Sequence, residues 1–273
     1  MRKIMSSLLA HRFKTADSAQ ASEREQPPPH DGEHTKEIRI PASRLPTSNG
    51  PFVANYASNN LTLGAGVAIF HLATARVVLC YHSREGYYFL PKGRKDEGEE
   101  ATKGAEREGY EESGYRNRVL PVPIPHRQPK AHHPVEEMKV PNEAVFATES
   151  VWMQLLPVSR RTQYVLFWYI AETVPPEMER ELNKRGMESG GAYQPPDKWE
   201  KGLTLKQRVN MEVKGYEPVR HEGTGVDEDE KLYVSALIDI EEAIQKLGPQ
   251  SISGDVVRKG WEAIERRKQM EEV

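Results

Sequence analysis

Between Gly93 and Tyr115 the chain reads GRKDEGEEATKGAEREGYEESGY, and the spacing of its acids restricts what this stretch can fold into. Tyr87 to Leu90 is a short β-prone run, Pro91 ends it, and helix formers dominate from Glu99 onward, which predicts a strand, a glycine loop and a helix. Glu108, Glu111 and Glu112 then lie on neighbouring turns of one helix face, with carboxylates converging on one patch. Like charges at this spacing cost an isolated helix roughly a few tenths of a kcal/mol per pair unless a cation stands between them. A hard divalent ion suits oxygen donors, and Mg²⁺ takes one or two protein carboxylates together with waters and substrate phosphate oxygens. The segment reads as a metal-phosphate site.

Arg107 precedes the first of these acids and stands four residues before Glu111, where a guanidinium fork can orient a carboxylate. Gly114 suits the left-handed turn that closes many helices, and Gly93 lets the loop backbone approach a metal or phosphate. Lys92 and Arg94 flank Gly93, where they would neutralise substrate phosphate. Glu99 is read as a supporting acid, and Asp96, Glu97, Glu100 and Glu106 as solvated surface.

Gly93, Glu99, Arg107, Glu108, Glu111, Glu112 and Gly114 match all seven fixed positions of the Nudix box, G-x5-E-x7-R-E-U-x-E-E-x-G-U, so the chain resembles a Nudix hydrolase. The resemblance implies a Nudix-type α/β/α sandwich with a mixed central sheet, and metal-dependent hydrolysis of a diphosphate linkage using Mg²⁺ or Mn²⁺. It implies Glu108 and Glu112 as principal metal ligands, Glu111 as a further ligand or base, and Gly93 as a metal contact. Arg107 would orient, Lys92 and Arg94 would bind substrate, and Glu99 and Gly114 would be structural. One position departs from the pattern: Gly109 stands where a bulky aliphatic residue usually packs the helix on the sheet, which weakens the helix by about 1 kcal/mol relative to alanine. Tyr110 or a neighbour is expected to fill the gap.

The 273 residues support one core, with residues 1–50 as a disordered tail and 51–273 as a single α/β domain. Polar insertions are expected at about 122–148 and 172–230, and the second is expected to add little core. A formal charge of −3 and the absence of a basic block give no reason to expect a nucleic acid partner, capped RNA excepted. Cys80, the only cysteine, sits in an apolar run and reads as a core thiol; it excludes an intrachain disulfide and fits a reducing compartment. No apolar run approaches the roughly 18 residues needed to cross a bilayer. The expected location is cytoplasmic or nuclear. A mitochondrial transit segment stays open, because Arg2, Lys3, Arg12 and Lys14 precede any acid.

Around the box, Gly64 to Phe70, Arg76 to His82, a strand beginning at Val119, a hairpin of Trp152 to Leu156 and Gln163 to Ile170, and a strand from Leu232 are expected. A final helix, Val256 to Met270, carries Val257, Trp261 and Ile264 on one side and should pack back on the sheet. Arg220, His221, Glu222 and the acids Asp227 to Glu230 precede that last strand, where they are candidates for an extra ligand or base beside Glu143 and Glu149. Tyr81, Tyr87, Tyr88 and Trp168 are candidates for a base platform, and Lys92, Arg94, Arg127 and Lys130 for binding dense phosphate. The expected partner is a small diphosphate: a nucleoside diphosphate derivative, a diphosphoinositol polyphosphate or a dinucleoside polyphosphate. The competing readings are a catalytically weak phosphate sensor or scaffold, and a messenger RNA decapping enzyme.

Overall fold

The computed structural model describes residues 45–129 and 146–272. The N-terminal tail up to residue 44 and most of the first insertion, with the candidates Lys130 and Glu143, lie outside the described residues. The strands are β1 (Leu61–His71), β2 (Arg76–His82), β3 (Tyr87–Phe89), β4 (Lys92–Arg94), β5 (Asn117–Val119), β6 (Trp152–Pro157), β7 (Gln163–Thr173) and β8 (Tyr233–Asp239). The helices are α1 (Ala101–Ser113), α2 (Pro176–Glu188), α3 (Leu205–Val209), α4 (Ile240–Leu247) and α5 (Ile252–Glu271).

β1 and β7 pair in parallel over ten residues, from Leu61 with Gln163 to Phe70 with Glu172, and form the axis of an open mixed sheet. β2 meets β1 only at Phe70–Val77 and His71–Arg76 before diverging. β3 and β4 fill the opening in succession, β3 against β2 and β4 against β1. Pro91 separates them without loss of register, its carbonyl accepting from the Val67 amide at 3.0 Å.

The two-residue period of β1 and β7 divides the interior into two cores. Ala65, Val67, Ile69, Tyr169 and Ala171 face α1 with Ala105 and Tyr115. Ala68, Phe70, Leu166, Trp168 and Ile170 face α4 and α5 with Ile240, Ala243, Ile244, Val257 and Ile264. The result is the expected α/β/α sandwich. The last helix packs on the sheet as its pattern predicts, with Trp261 stacked on Phe70 at a centroid distance of 6.0 Å. Among the described residues no helix is long and apolar enough to cross a membrane.

Two features differ from the sequence expectation. Gly109 leaves no gap: a Cβ there would stand 2.5 Å from Asn117 Nδ2 and 2.9 Å from Val67 Cγ1. The helix backbone lies directly on β1 and β5, and Asn117 occupies the space an aliphatic side chain would take, donating to the Glu106 carbonyl at 2.9 Å. Tyr110 instead packs on the outer side of α1 against Tyr193, with centroids 5.7 Å apart.

The second insertion also adds more core than its polarity suggests. Arg208 and Glu172 are fully buried and joined at 2.7 Å, Arg118 bonds Glu172 at 2.7 Å, and Arg208 reaches Glu212 at 2.9 Å. Glu212 in turn meets His71 at 2.9 Å. Trp199 lies between the guanidinium groups of Arg118 and Arg267, at 4.7 and 4.6 Å. Ion pairs and cation–π contacts, which a hydrophobic pattern does not count, bind this segment to the sheet end and to α5.

Candidate active site

Three consecutive residues of β4 each hold one side chain of α1. The Lys92 amide donates to Glu112 Oε2 at 2.7 Å. The Arg94 carbonyl accepts from Arg107 Nη2 at 2.9 Å. Between them Gly93 lies against the Glu108 carboxylate so closely that a Cβ would stand 2.0 Å from Glu108 Oε2. The bare Cα is thus a steric requirement of the helix, in addition to any allowance for a ligand.

Arg107 gathers the acids. Its Nη1 donates to Glu108 Oε1 at 2.9 Å and to Glu111 Oε2 at 2.8 Å, and its Nε and Nη2 grip the two oxygens of Glu99 at 3.0 and 2.9 Å. Glu99 also accepts the Asp96 amide at 2.8 Å, closing the loop that follows β4. Arg107 is therefore the orienting group and Glu99 its support. Gly114 ends α1 in the left-handed conformation, φ 74°, with its amide on the Tyr110 carbonyl. Glu106, read as solvated surface, is instead buried and accepts the Val119 amide at 2.9 Å.

Burial dominates the electrostatics of the cluster. It pushes the Glu108 carboxyl up to about 7; Arg107 opposes the shift and Glu111 adds to it. Burial also raises Glu111, against Arg107, and raises Glu112 well above the usual carboxylate range, against Lys92 and with help from Glu108. Burial works against Glu99 too, but the Arg107 and Asp96 hydrogen bonds outweigh it and hold that acid below its ordinary value.

Glu230 enters from the far end of the second insertion. The Thr224 hydroxyl donates to the Glu111 carbonyl at 2.9 Å, tying the turn to α1. Asp227 Oδ1 accepts the amides of Asp229 and Glu230, both at 2.9 Å, and Glu230 Oε2 accepts the Val226 amide at 2.6 Å. Burial raises the Glu230 carboxyl. Its charge in turn raises those of Glu108, Glu111 and Glu112, so it stands beside the cluster from outside the helix, as Asp96 and Glu99 do through Arg107. The sequence pointed to the segment Asp227 to Glu230 but could not separate one acid from the others.

Most of the other candidates lie elsewhere. Glu222 is exposed and ion-paired with Arg220, whose Nε donates to Ser235 at 2.7 Å; His221 bonds Glu179 at 2.6 Å. Glu149 acts on Tyr169. Trp168 is 2% exposed with its indole N–H on Gln154 Oε1 at 2.6 Å, so it is core. Tyr81 and Tyr88 pack 4.8 Å apart, with Lys246 of α4 4.6 Å from the Tyr88 ring, on the sheet face opposite the glutamates. Tyr87 shares a ring cluster with His82, Phe89 and Tyr233, and Lys92 Nζ lies 5.4 Å from the Phe89 ring. Arg94 and Arg127 are exposed.

The convergence expected of the three box carboxylates needs correcting in one respect. Among the described residues no group of three or more His, Cys, Asp or Glu side chains is arranged to hold a metal ion. Arg107 draws Glu108 and Glu111 together, whereas Glu112 is turned onto the β4 backbone. The donor set still fits a hard divalent cation. It is all oxygen, Glu108 and Glu112 are buried and Glu111 half-buried beside one guanidinium, and burial and mutual repulsion disfavour their charged forms in the absence of another cation.

No protein-family model and no curated protein matches the chain. Solved structures similar to it include a NUDIX hydrolase from Nitrosomonas europaea, 14% identical over 74% of this chain and 88% of that one, with a TM-score of 0.34. A NUDIX-family hydrolase from Clostridium perfringens is 14% identical over 75% and 97% of the two chains, with a TM-score of 0.35. An Ap4A hydrolase binary complex from C. elegans is 14% identical over 72% and 93%, with a TM-score of 0.33. With so little identity, the chemistry of this chain is read from its own residues.

Proposed function

We propose that this protein is a metal-dependent hydrolase that cleaves a diphosphate linkage in a small, highly phosphorylated molecule or nucleoside diphosphate derivative. The observation that carries the reading is the buried pair Glu108 and Glu112 with the half-buried Glu111 and Glu230 beside them, Glu108 and Glu111 held by Arg107 and Glu112 by the β4 backbone. Glu108 and Glu112 would hold the cation, with Glu111 as a third donor. When bound, Mg²⁺ or Mn²⁺ supplies charge neutralisation at the phosphoryl oxygens.

The remaining work falls to the chain. Arg107 fixes Glu108 and Glu111 and favours their charged, accepting forms against the burial that raises both. Glu230 carries no such guanidinium pair among its hydrogen bonds, and its raised proton affinity suits a general base. Water attacks one phosphorus, its proton passes to Glu230, and the bridging P–O bond breaks with the electron pair leaving on the second phosphate. Lys92 and Arg94, on the strand facing the cluster, offset the charge of that leaving group. Lys92 and Arg94, flanking Gly93, favour substrates with several phosphates, such as diphosphoinositol or dinucleoside polyphosphates.

The test is Mg²⁺- and Mn²⁺-dependent product release across diphosphoinositol polyphosphates, dinucleoside polyphosphates, nucleotide sugars and capped RNA, with Glu112→Gln alongside. Cleavage that needs metal and disappears in the variant supports the reading and ranks the substrates. A folded wild-type protein that binds these ligands without turnover would instead establish a sensor.

A further inference from the structure

We propose that Tyr164 is a positioning residue that sets β4 for the carboxylate cluster, through a hydrogen bond that nothing in the glutamate helix supplies. The inference rests on the hydrolase reading and deepens it. Tyr164 is 3% exposed, and its hydroxyl donates to the Gly93 carbonyl at 2.9 Å. β7 and β4 flank β1 on opposite sides, so the phenol crosses β1 to reach its acceptor. Gly64 leaves the passage open: a Cβ at that position would stand 1.9 Å from Tyr164 Oη and 2.4 Å from the Gly93 oxygen.

The acceptor is the middle one of the three residues that hold α1. Its neighbours supply the Lys92 amide to Glu112 and the Arg94 carbonyl to Arg107, and its own Cα lies against Glu108. β4 has three residues and, among the described strands, pairs with β1 alone. A small displacement of so short a strand moves the Glu112, Glu108 and Arg107 contacts together, and the Tyr164 hydroxyl is the tether that resists it. Phenylalanine would fill almost the same volume, and a buried hydroxyl is costly unless it is bonded, so the hydrogen bond is what distinguishes tyrosine here.

Tyr164→Phe removes this bond, and Tyr169→Phe, on the same strand but in the core facing α1, controls for loss of a buried phenol. Mn²⁺ is titrated into metal-free protein with the unbound ion read by electron paramagnetic resonance, and amide hydrogen exchange is followed over residues 91–95. Tyr164→Phe is expected to weaken Mn²⁺ binding about threefold to tenfold, the scale of one lost hydrogen bond. It should speed exchange in residues 91–95 while α5 keeps its rates, and lower kcat with KM little changed. Tyr169→Phe should do none of these. Tyr164→Met, an adaptable side chain without a hydroxyl, carries the same expectations should the phenylalanine variant not fold. Wild-type Mn²⁺ affinity and exchange in the Tyr164 variants would overturn the positioning role alone. A wild-type protein that takes up no Mn²⁺ would overturn the hydrolase reading and the positioning role with it.

Discussion

The Lys92 amide donates to the Glu112 carboxylate at 2.7 Å, so the strand that carries Lys92 and Arg94 is bonded to a buried acid of the cluster. Chain segments twenty residues apart are thereby held in one frame, β4 on one side and the glutamates of α1 on the other. The arrangement gives Gly93 little freedom to change. In Gly93→Ala the new methyl collides with Glu108, which should lower stability by about 1–3 kcal/mol and displace the carboxylate. Denaturant unfolding would show the loss, and activity should fall by more than the folded fraction does.

Glu230→Gln tests the acid outside the helix. As the general base it should lower kcat by about 10²–10⁴-fold and leave Mn²⁺ binding by the free protein largely intact. Glu112→Gln should abolish both. Equal kcat in Glu230→Gln and wild type would return the base role to Glu111.

Gly109→Leu restores the bulky residue usual at this place in the motif, yet it should destabilise. The added Cβ meets Asn117 and Val67, so the helix must lift from the sheet at a cost of about 1–3 kcal/mol or more. A melting temperature at or above wild type would contradict the close packing of α1 on β1 and β5.

The second insertion should be essential to the fold. Arg208→Met leaves Glu172 buried with one of its two cationic partners and removes a partner of Glu212, which should cost about 3–5 kcal/mol. Urea titration of the variant measures it directly.

Acid should loosen the last helix. Burial opposes the Asp255 charge, but Lys259, Arg258 and the Trp152 indole N–H hold the carboxyl below its ordinary value. A depressed folded-state pKa contributes stability above the unfolded value, near 3.9, and that stability is lost as pH falls through the folded value. Asp255→Asn should therefore flatten the stability curve below about pH 4 and leave its shape near neutrality unchanged, as read by thermal unfolding against pH.

Much of this architecture was legible in the amino-acid order. Strands β1, β2, β3, β6, β7 and β8 follow from their β-branched and aromatic runs, α1 from its run of helix formers and α5 from its helical period. The spacing of Glu108, Glu111 and Glu112 fixed one helix face, and Arg107 as the orienting cation followed from its distance to Glu111. These are local facts, set by neighbours in the chain.

What only the tertiary structure decided depends on groups far apart in sequence. Glu230 faces the cluster because Thr224, 113 positions from Glu111, ties its turn to α1. Gly109 is a close contact because Asn117 and Val67 arrive there, and Tyr164 reaches Gly93 only because Gly64 opens β1. Such contacts join strands and turns whose approach is set by packing of the whole sheet, and no residue spacing encodes them. The sequence by itself determined which side chains share a helix face. The fold determined that Glu112 turns to the β4 backbone and that Glu108 and Glu111 turn to Arg107, because buried carboxylates take the nearest donors available.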